Sequence, residues 1–348
     1  MERTASVPAV SVCMPVFNGA RFLPRAFSSL SEQTFREFEV VVVDDGSTDG
    51  TTEEARRLLA HHGLNGRVMR TENRGNARAR DLSCESAQAE LIATLDCDDA
   101  WDPRYLQEML AVLRSRADID LVYSDLLELF PDGRKILKSD VATWVDTSQP
   151  DFDGNTHVFR RGAFFKMLLR GQVLFPSCTI YRKSLYREVG GYAAKLPELP
   201  TSLDWYFGLR AARAGTVAFL KRPLLQKYAR SDSVSNTSTL RTSSSSARIL
   251  ETLLRDPTLR PEERRSACWR GALISHHCAY ESWATHRNQI DAMKWVVRAL
   301  RFEWSWNATK LGAKILIPRI LIENVRPSSR GVVSQHSPHH VEPSGSQV

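Results

Sequence analysis

From Val10 to about Tyr123, short β-branched runs alternate with longer amphipathic stretches. The runs are Val10 to Met14, Glu39 to Val43, Arg67 to Arg70, Leu91 to Leu95 and Ile119 to Tyr123. Between the first two, Phe22, Leu23, Ala26, Phe27 and Leu30 are spaced so that they share one helix face. Such a β-α-β-α series predicts an α/β fold, a Rossmann-like and mostly parallel sheet flanked by helices. Val40 to Val43 is apolar without alternation, the pattern of a central strand covered on both faces. Ligands of these sheets bind beyond the carboxyl ends of the strands, so chemistry is expected just after each run.

After Asp125 the regularity weakens. Residues 130–158 are rich in Asp, Gly, Pro, Thr and Ser and read as a loop or hairpin region over the site. Apolar periodicity returns near 160–170, and a strand-like Cys178 to Tyr181 precedes a helix from about Leu203 to Ala214, ended by Gly215. Residues 231–246 read as a Ser/Thr-rich connector, and 247–323 as helical throughout. There Ile290, Met293, Val297, Leu300 and Trp304 form one apolar stripe. The tail, about 326–348, has a disordered composition.

Composition changes this picture little. With 42% hydrophobic and 25% charged residues, a chain of 348 can bury a large core, which excludes rods, collagen and wholesale disorder. The six cysteines are scattered without a C-x-x-C pair, so neither a zinc site nor a disulfide scaffold is expected. The beginning, MERTASVPAVSV, lacks the features of a secretory signal, and no window of 18 residues is continuously apolar. A cytoplasmic protein is expected. Of the net charge of +7, residues 251–348 carry +5, from 14 Lys and Arg against 9 Asp and Glu. That excess suits either a solvated helical face or contact with phosphate or anionic lipid on the inner face of a membrane. It is too modest, and too poor in aromatic-basic motifs, for a nucleic-acid binder.

Acidic clusters follow two of the strand-like runs. Asp44-Asp45-Gly46-Ser47-Thr48-Asp49-Gly50 comes directly after the four valines. Helix capping explains one of these residues but not two adjacent carboxylates at the mouth of a buried strand. Asp96-Cys97-Asp98-Asp99 follows Leu95, and three carboxylates in four residues repel unless a cation or strong donors neutralise them. Magnesium or manganese suits such hard ligands, with one or two carboxylates completed by substrate phosphates. Asp204 stands alone at the start of a helix, where a cap is the ordinary reading.

Together these segments carry a resemblance. VSVCMPVFNG (Val10 to Gly19), DDGSTDG (Asp44 to Gly50), ENRGNARARD (Glu72 to Asp81) and LDCDD (Leu95 to Asp99) resemble, in order and spacing, the motifs of the bacterial family 2 glycosyltransferases of the GT-A fold. The stretch Glu188 to Gly215 resembles that family's acceptor-side segment. The resemblance covers about residues 8–235. It implies a catalytic domain at 1–235, with a nucleotide-sugar part at about 8–125 and an acceptor part at 126–235, then a helical region at 236–325.

Residue by residue, the resemblance puts Pro15, Phe17 and Asn18 in the loop that holds the base and Asp45 on the base's imide edge. Asp96 falls by the ribose and metal, and Asp98 on a divalent ion, Mn2+ or Mg2+, that bridges the donor diphosphate. Arg80 matches an arginine near the nucleotide, and Asp81 stands where the family usually has Asn. Asp204 aligns with the catalytic base, although the usual Glu-Asp pair here reads Leu203-Asp204. Tyr228 to Ser233 resembles a segment that closes over the donor, with Arg230 a phosphate contact or an ordinary loop residue.

The activity so implied is inverting, metal-assisted transfer of a single sugar from a nucleotide sugar, UDP-linked for preference, to a hydroxyl of a glycan, lipid-linked or small-molecule acceptor. The Q-x-x-R-W element of processive synthases is absent. Two other classes compete. A catalytically silent GT-A protein that binds glycans or partners is favoured by Leu203, whereas a nucleotidyltransferase should carry an early phosphate-loop lysine, and the first lysine is Lys135. The C-terminal stripe fits packing on the domain, a homodimer or a membrane surface.

Overall fold

Two neighbouring strands, β1 (Val10–Val16) and β2 (Phe38–Asp44), are buried along their whole length, which is why neither alternates. Two of their polar side chains pair across the strands: Ser11 Oγ donates to Glu39 Oε1 at 2.6 Å. The computed structural model describes residues 7–143, 145, 154–230, 239–303 and 306–316. In chain order after β1 come α1 (Leu23–Ser31), then β2, α2 (Thr51–His61), β3 (Gly66–Arg70), α3 (Asn76–Ser86) and β4 (Leu91–Thr94). Helix α1 buries Leu23, Ala26, Phe27 and Leu30, the face its spacing predicts.

The acidic loop leads through β5 (Ala100–Trp101) and α4 (Tyr105–Ser115) to the long β6 (Leu121–Leu129). The Asp- and Gly-rich region contains β7 (Lys135–Leu137), α5 (Lys138–Val141) and the start of β8 (Thr156–Phe159). There follow α6 (Ala163–Arg170), β9 (Thr179–Arg182), α7 (Lys183–Val189), α8 (Leu203–Ala214) and β10 (Val217–Tyr228). The strand order is β3-β2-β1-β4-β9-β6-β10-β5, with β7 beside β6 and β8 beside β10. The half from β3 to β4 is parallel, as expected. Beyond it β9 joins β4 and β6 antiparallel, so the sheet is mixed rather than parallel throughout. Insertion of β9 brings Pro176 to Cys178 beneath the acidic loop.

Four helices complete the described chain: α9 (Thr239–Leu254), α10 (Pro261–Ala284), α11 (Gln289–Phe302) and α12 (Trp306–Leu316). Part of the expected Ser/Thr connector is therefore helix from Thr239 onward. Low intrinsic propensity is overridden there by packing, since Ala247, Ile249, Leu250 and Leu253 join the main apolar core. Arg213 at the end of α8 fastens this region, pairing with Asp256 at 2.6 Å and with the buried Glu263 at 3.3 Å.

The apolar stripe of α11 is shifted from the one the sequence suggests. Its buried face is Ala292, Val296, Ala299 and Phe302. Met293 and Leu300 flank that face, Ile290 and Val297 are exposed, and Trp304 lies outside the described residues. Ala292 and Val296 pack with Ala279, Leu311 and Ile315 in a small second core, so this face is covered by the protein's own helices. Among the described residues no helix is long and apolar enough to cross a membrane. The tail, with Ile317 and Arg319, lies outside the described residues, as do Ser231 to Ser233.

Candidate active site

At the carboxyl ends of β1 and β2 two loops are laced together. Asn18, at a positive φ of 47°, donates its amide to Ser47 Oγ at 2.8 Å and accepts from Thr48 N at 2.9 Å through Oδ1. Gly19 N donates to Thr51 Oγ1 and Ala20 N to Asp49 Oδ2. Asp44 turns inward, accepting from Ser47 N and from the Thr52 hydroxyl, so the first acid of the pair holds the loop's shape. Pro15 is buried in β1, whereas Phe17 is half exposed at the rim. A Cβ on Gly19 would lie 2.5 Å from Val16 and 3.0 Å from Cys97 Sγ, so only glycine lets this loop touch the acidic one.

Asp45 is 2% exposed. Its Oδ1 accepts from Arg74 N and its Oδ2 from Gly75 N, both at 2.8 Å. It thereby fixes the turn ahead of α3, the segment that presents Arg80. The neighbouring Asp81 accepts from Tyr186 Oη at 2.9 Å, Tyr192 N at 2.6 Å and Ala193 N at 2.9 Å. A carboxylate suits three donors where an amide's NH2 would oppose them.

Arg80 is buried on α3 and pairs with Asp96 Oδ1 at 2.5 Å. Its guanidinium also lies 5.1 Å from the centre of the Tyr192 ring, and its buried Nε has no hydrogen-bond partner among the described residues. Burial alone would lower its pKa, yet Asp96, Tyr192 and Asp204 hold it above the ordinary arginine value. The Asp96 amide donates to Ser177 Oγ at 3.0 Å, and Trp101 Nε1 to Ser177 O at 2.6 Å, so the turn that leads into β9 props the acidic loop.

Asp98 pairs with Arg230 at 2.8 Å, and that guanidinium stacks on Phe22 with its carbon 4.1 Å from the ring centre. Burial first, and the charge of Asp96 second, raise the Asp98 carboxyl above the usual range despite Arg230. Asp99 is raised further, again by burial and then by its two acidic neighbours. The loop thus carries negative charge that a divalent cation would relieve. Among the described residues no three His, Cys, Asp or Glu converge as a self-sufficient metal site. That donor set suits an ion held by one or two carboxylates with phosphate oxygens for the rest.

Asp204 stands in the first turn of α8, after Ser202 in the left-handed region at φ 66°. No side chain caps this helix through Ser202. Burial raises the Asp204 carboxyl, the Trp205 amide and Arg80 oppose that shift, and Asp96 adds to it. Gln172 Nε2 reaches Asp204 Oδ2 at 3.4 Å. Asp96, Asp98, Arg80, Arg230 and Asp204 therefore form one electrostatic cluster, with Pro15 near the end of β1 and Phe17, Asn18 and Asp45 in the adjoining loops. Ser177, Tyr192, Gln172 and Lys227, which acts electrostatically on Asp98 and Asp99, carried no signal in the sequence, because each meets its partner only through the fold.

Residues 11–190 match the family model described as glycosyl transferase family 2. The chain is 31% identical over 224 residues to the putative glycosyltransferase EpsH of Bacillus subtilis (strain 168), covering 62% of this chain and 60% of that one. It is 30% identical over 132 residues to the glycosyltransferase AglE of Haloferax volcanii, covering 37% and 43%. The matched part thus spans less than two thirds of either relative's length. Among solved structures, S. aureus TarS 1-349 in complex with UDP-GlcNAc superposes with a TM-score of 0.66 at 18% identity, covering 88% of each chain. The mannosyltransferase PcManGT of Pyrobaculum calidifontis, in complex with GDP-Man and Mn2+, gives 0.51 at 19% identity, covering 88% and 79%. These likenesses agree with a GT-A-like fold. The matched segment carries the two laced loops, the Arg80 ion pair and the acidic strand end, and by that match the chain belongs to glycosyl transferase family 2.

Proposed function

We propose that the protein transfers a single sugar, with inversion, from a nucleotide diphosphate sugar to an acceptor hydroxyl, with Asp204 as general base. The observation that carries this reading is the placement of Arg80, which pairs with Asp96 on the donor side and acts electrostatically on Asp204 on the other. Family membership and the UDP-GlcNAc complex of the TarS fragment favour a UDP-linked donor.

In this reading Phe17 and Asn18 form one side of the base pocket, and Asp45 shapes the other by anchoring the turn at Arg74 and Gly75. Arg80 keeps an Nε–H, unpartnered among the described residues, for a donor oxygen. Asp98, with Asp96 behind it, would hold a divalent ion, which supplies charge neutralisation for the leaving diphosphate. Arg230 is placed to exchange its pair with Asp98 for phosphate oxygens. Asp204, raised by burial, takes the proton of the attacking hydroxyl, and a one-step attack opposite the leaving group inverts the anomeric centre. Metal dependence, the donor nucleotide and inversion are tested together by assaying UDP-, GDP- and dTDP-sugars with and without manganese, and by following the anomeric product by NMR. Binding of these donors without transfer or hydrolysis would instead support the silent binding protein that Leu203 favours. A cytoplasmic location, with or without membrane contact, belongs to the same proposal.

A further inference from the structure

Between the C-terminal helices and the loop ahead of α8 lies an open cleft of about 520 Å3. One wall is a face of α9 with Arg248 and Glu251, the other a face of α11 with Lys294, Arg298 and Arg301, and Glu198 closes one side. The lining therefore has four cations against two carboxylates. Both carboxylates are engaged, Glu198 by Arg248 at 3.0 Å and Glu251 by Arg298 at 2.7 Å. Among the described residues Lys294 pairs only with Asp291, one turn back and outside the lining. Arg301 has no ion-pair partner among the described residues. Arg298 is further oriented by the Trp295 ring, 5.0 Å away.

The cleft is tied to the proposed base. Thr201 Oγ1 meets Ser245 Oγ at 3.1 Å, and Ser246 Oγ meets Ser202 Oγ at 3.4 Å, so α9 is fastened to the residues immediately before Asp204's helix. Guanidinium forks spaced along two facing helices match the paired oxygens of phosphate or carboxylate groups. We infer that this cleft seats an acidic stretch of the acceptor, a glycan bearing phosphate or carboxylate groups, while one of its hydroxyls is presented to Asp204. This rests on the glycosyltransferase reading above. A glycan is favoured over a lipid surface because the cations line a concavity whose apolar lining is limited to Leu199 and Val297, whereas interfacial binding needs a broad apolar face beside the charges.

The test uses the full chain, with UDP and manganese present at saturation so that the donor side is filled. Binding of a short inorganic polyphosphate, of oligogalacturonate and of a neutral dextran fragment is measured by calorimetry at two salt concentrations. The wild type should bind a polyanion, more weakly at high salt, and should ignore dextran. Preference for polyphosphate identifies a phosphate-bearing acceptor, and preference for oligogalacturonate a carboxylate-bearing one. Lys294→Glu with Arg301→Glu should weaken that binding by about tenfold or more, and the corresponding Gln pair by less, with UDP affinity and thermal midpoint unchanged. Equal polyanion binding by the Glu variant would overturn the assignment. So would charge-dependent sedimentation with phosphatidylglycerol vesicles in a chain that binds neither polyanion, which would make the face a lipid site. UDP is titrated first, so a wild type that binds no nucleotide diphosphate counts against the glycosyltransferase reading separately.

Discussion

Arg80 lies 2.5 Å from Asp96 Oδ1 while its charge also acts on Asp204, so one buried cation serves both sides of the site. Replacing it with Gln should leave Asp96 without its partner and destabilise the fold by about 3 kcal/mol, the low end for breaking a buried pair because Asp96 keeps some solvent. Denaturant titration measures this. The same change removes a positive charge that lowers the Asp204 pKa, so the acidic limb of the kcat/KM profile should move to higher pH. Arg80→Lys should return the limb toward its original place. A limb that stays fixed in Arg80→Gln would mean that Asp204 does not titrate in catalysis.

Asp204→Asn should lower kcat by roughly 10² to 10⁴ while UDP affinity is retained. Its stability should move the other way from that of a lost cap. A carboxyl whose pKa is higher in the folded state than in the unfolded chain loses folding free energy as pH rises from the ordinary carboxylate range through the raised value, and the cost is complete only above that value. Asn does not ionise, so the variant should melt no lower than wild type at pH 7. For the wild type, activity should fall as pH drops through the raised value.

Asp98→Asn should abolish metal-dependent turnover and leave the thermal midpoint nearly unchanged, since burial and the charge of Asp96 offset what its pair with Arg230 contributes. Removing divalent ions from the wild type with EDTA should reproduce the loss, and manganese should restore it. Full activity of Asp98→Asn in manganese would remove Asp98 from the metal.

Asp81→Asn should be more harmful than its small size change suggests. The amide must turn its NH2 toward one of three donors, and an opposed part-buried group of this kind costs about 1 kcal/mol, the low end for a buried one. Thermal unfolding should show that loss, with UDP affinity unchanged once the protein is folded.

A chain ending at Ser246 should aggregate rather than stay soluble, because it removes Leu250, Leu253, Leu259, Ala267 and Phe302 from the main core. Light scattering of the refolded fragment distinguishes this from a dispensable membrane anchor.

Much of this site was legible because its chemistry is local in sequence. The four valines and the paired acids after them, or Leu95 and the three acids that follow, put strand and ligand in one short string. The side chains that tune the acids were not legible. Ser177 reaches the Asp96 amide across 81 positions, and Tyr192 comes over Arg80 only because Asp81 pins its backbone. On α11 the hydrophobic residues spanned more than one face, so periodicity selected Ile290 and Val297, whereas the small Ala292 and Ala299 make the close helix contact. The Ser and Thr residues of α9 looked like a linker because propensity says nothing of the core that their neighbours fill.

The fastening of α9 to Thr201 and Ser202 by hydroxyl pairs has an evolutionary consequence. Short polar contacts of this kind ask little of their partner, and any helix that offers a Ser or Thr there and an apolar plug for the main core can occupy the place. Asp204, the Arg80 pair and the acidic loop all lie before residue 239. Recombination past that point would hand an intact donor-processing half a new grip on the acceptor. Acceptor range can therefore diversify by exchange of whole helices, without a single substitution at the sheet's edge.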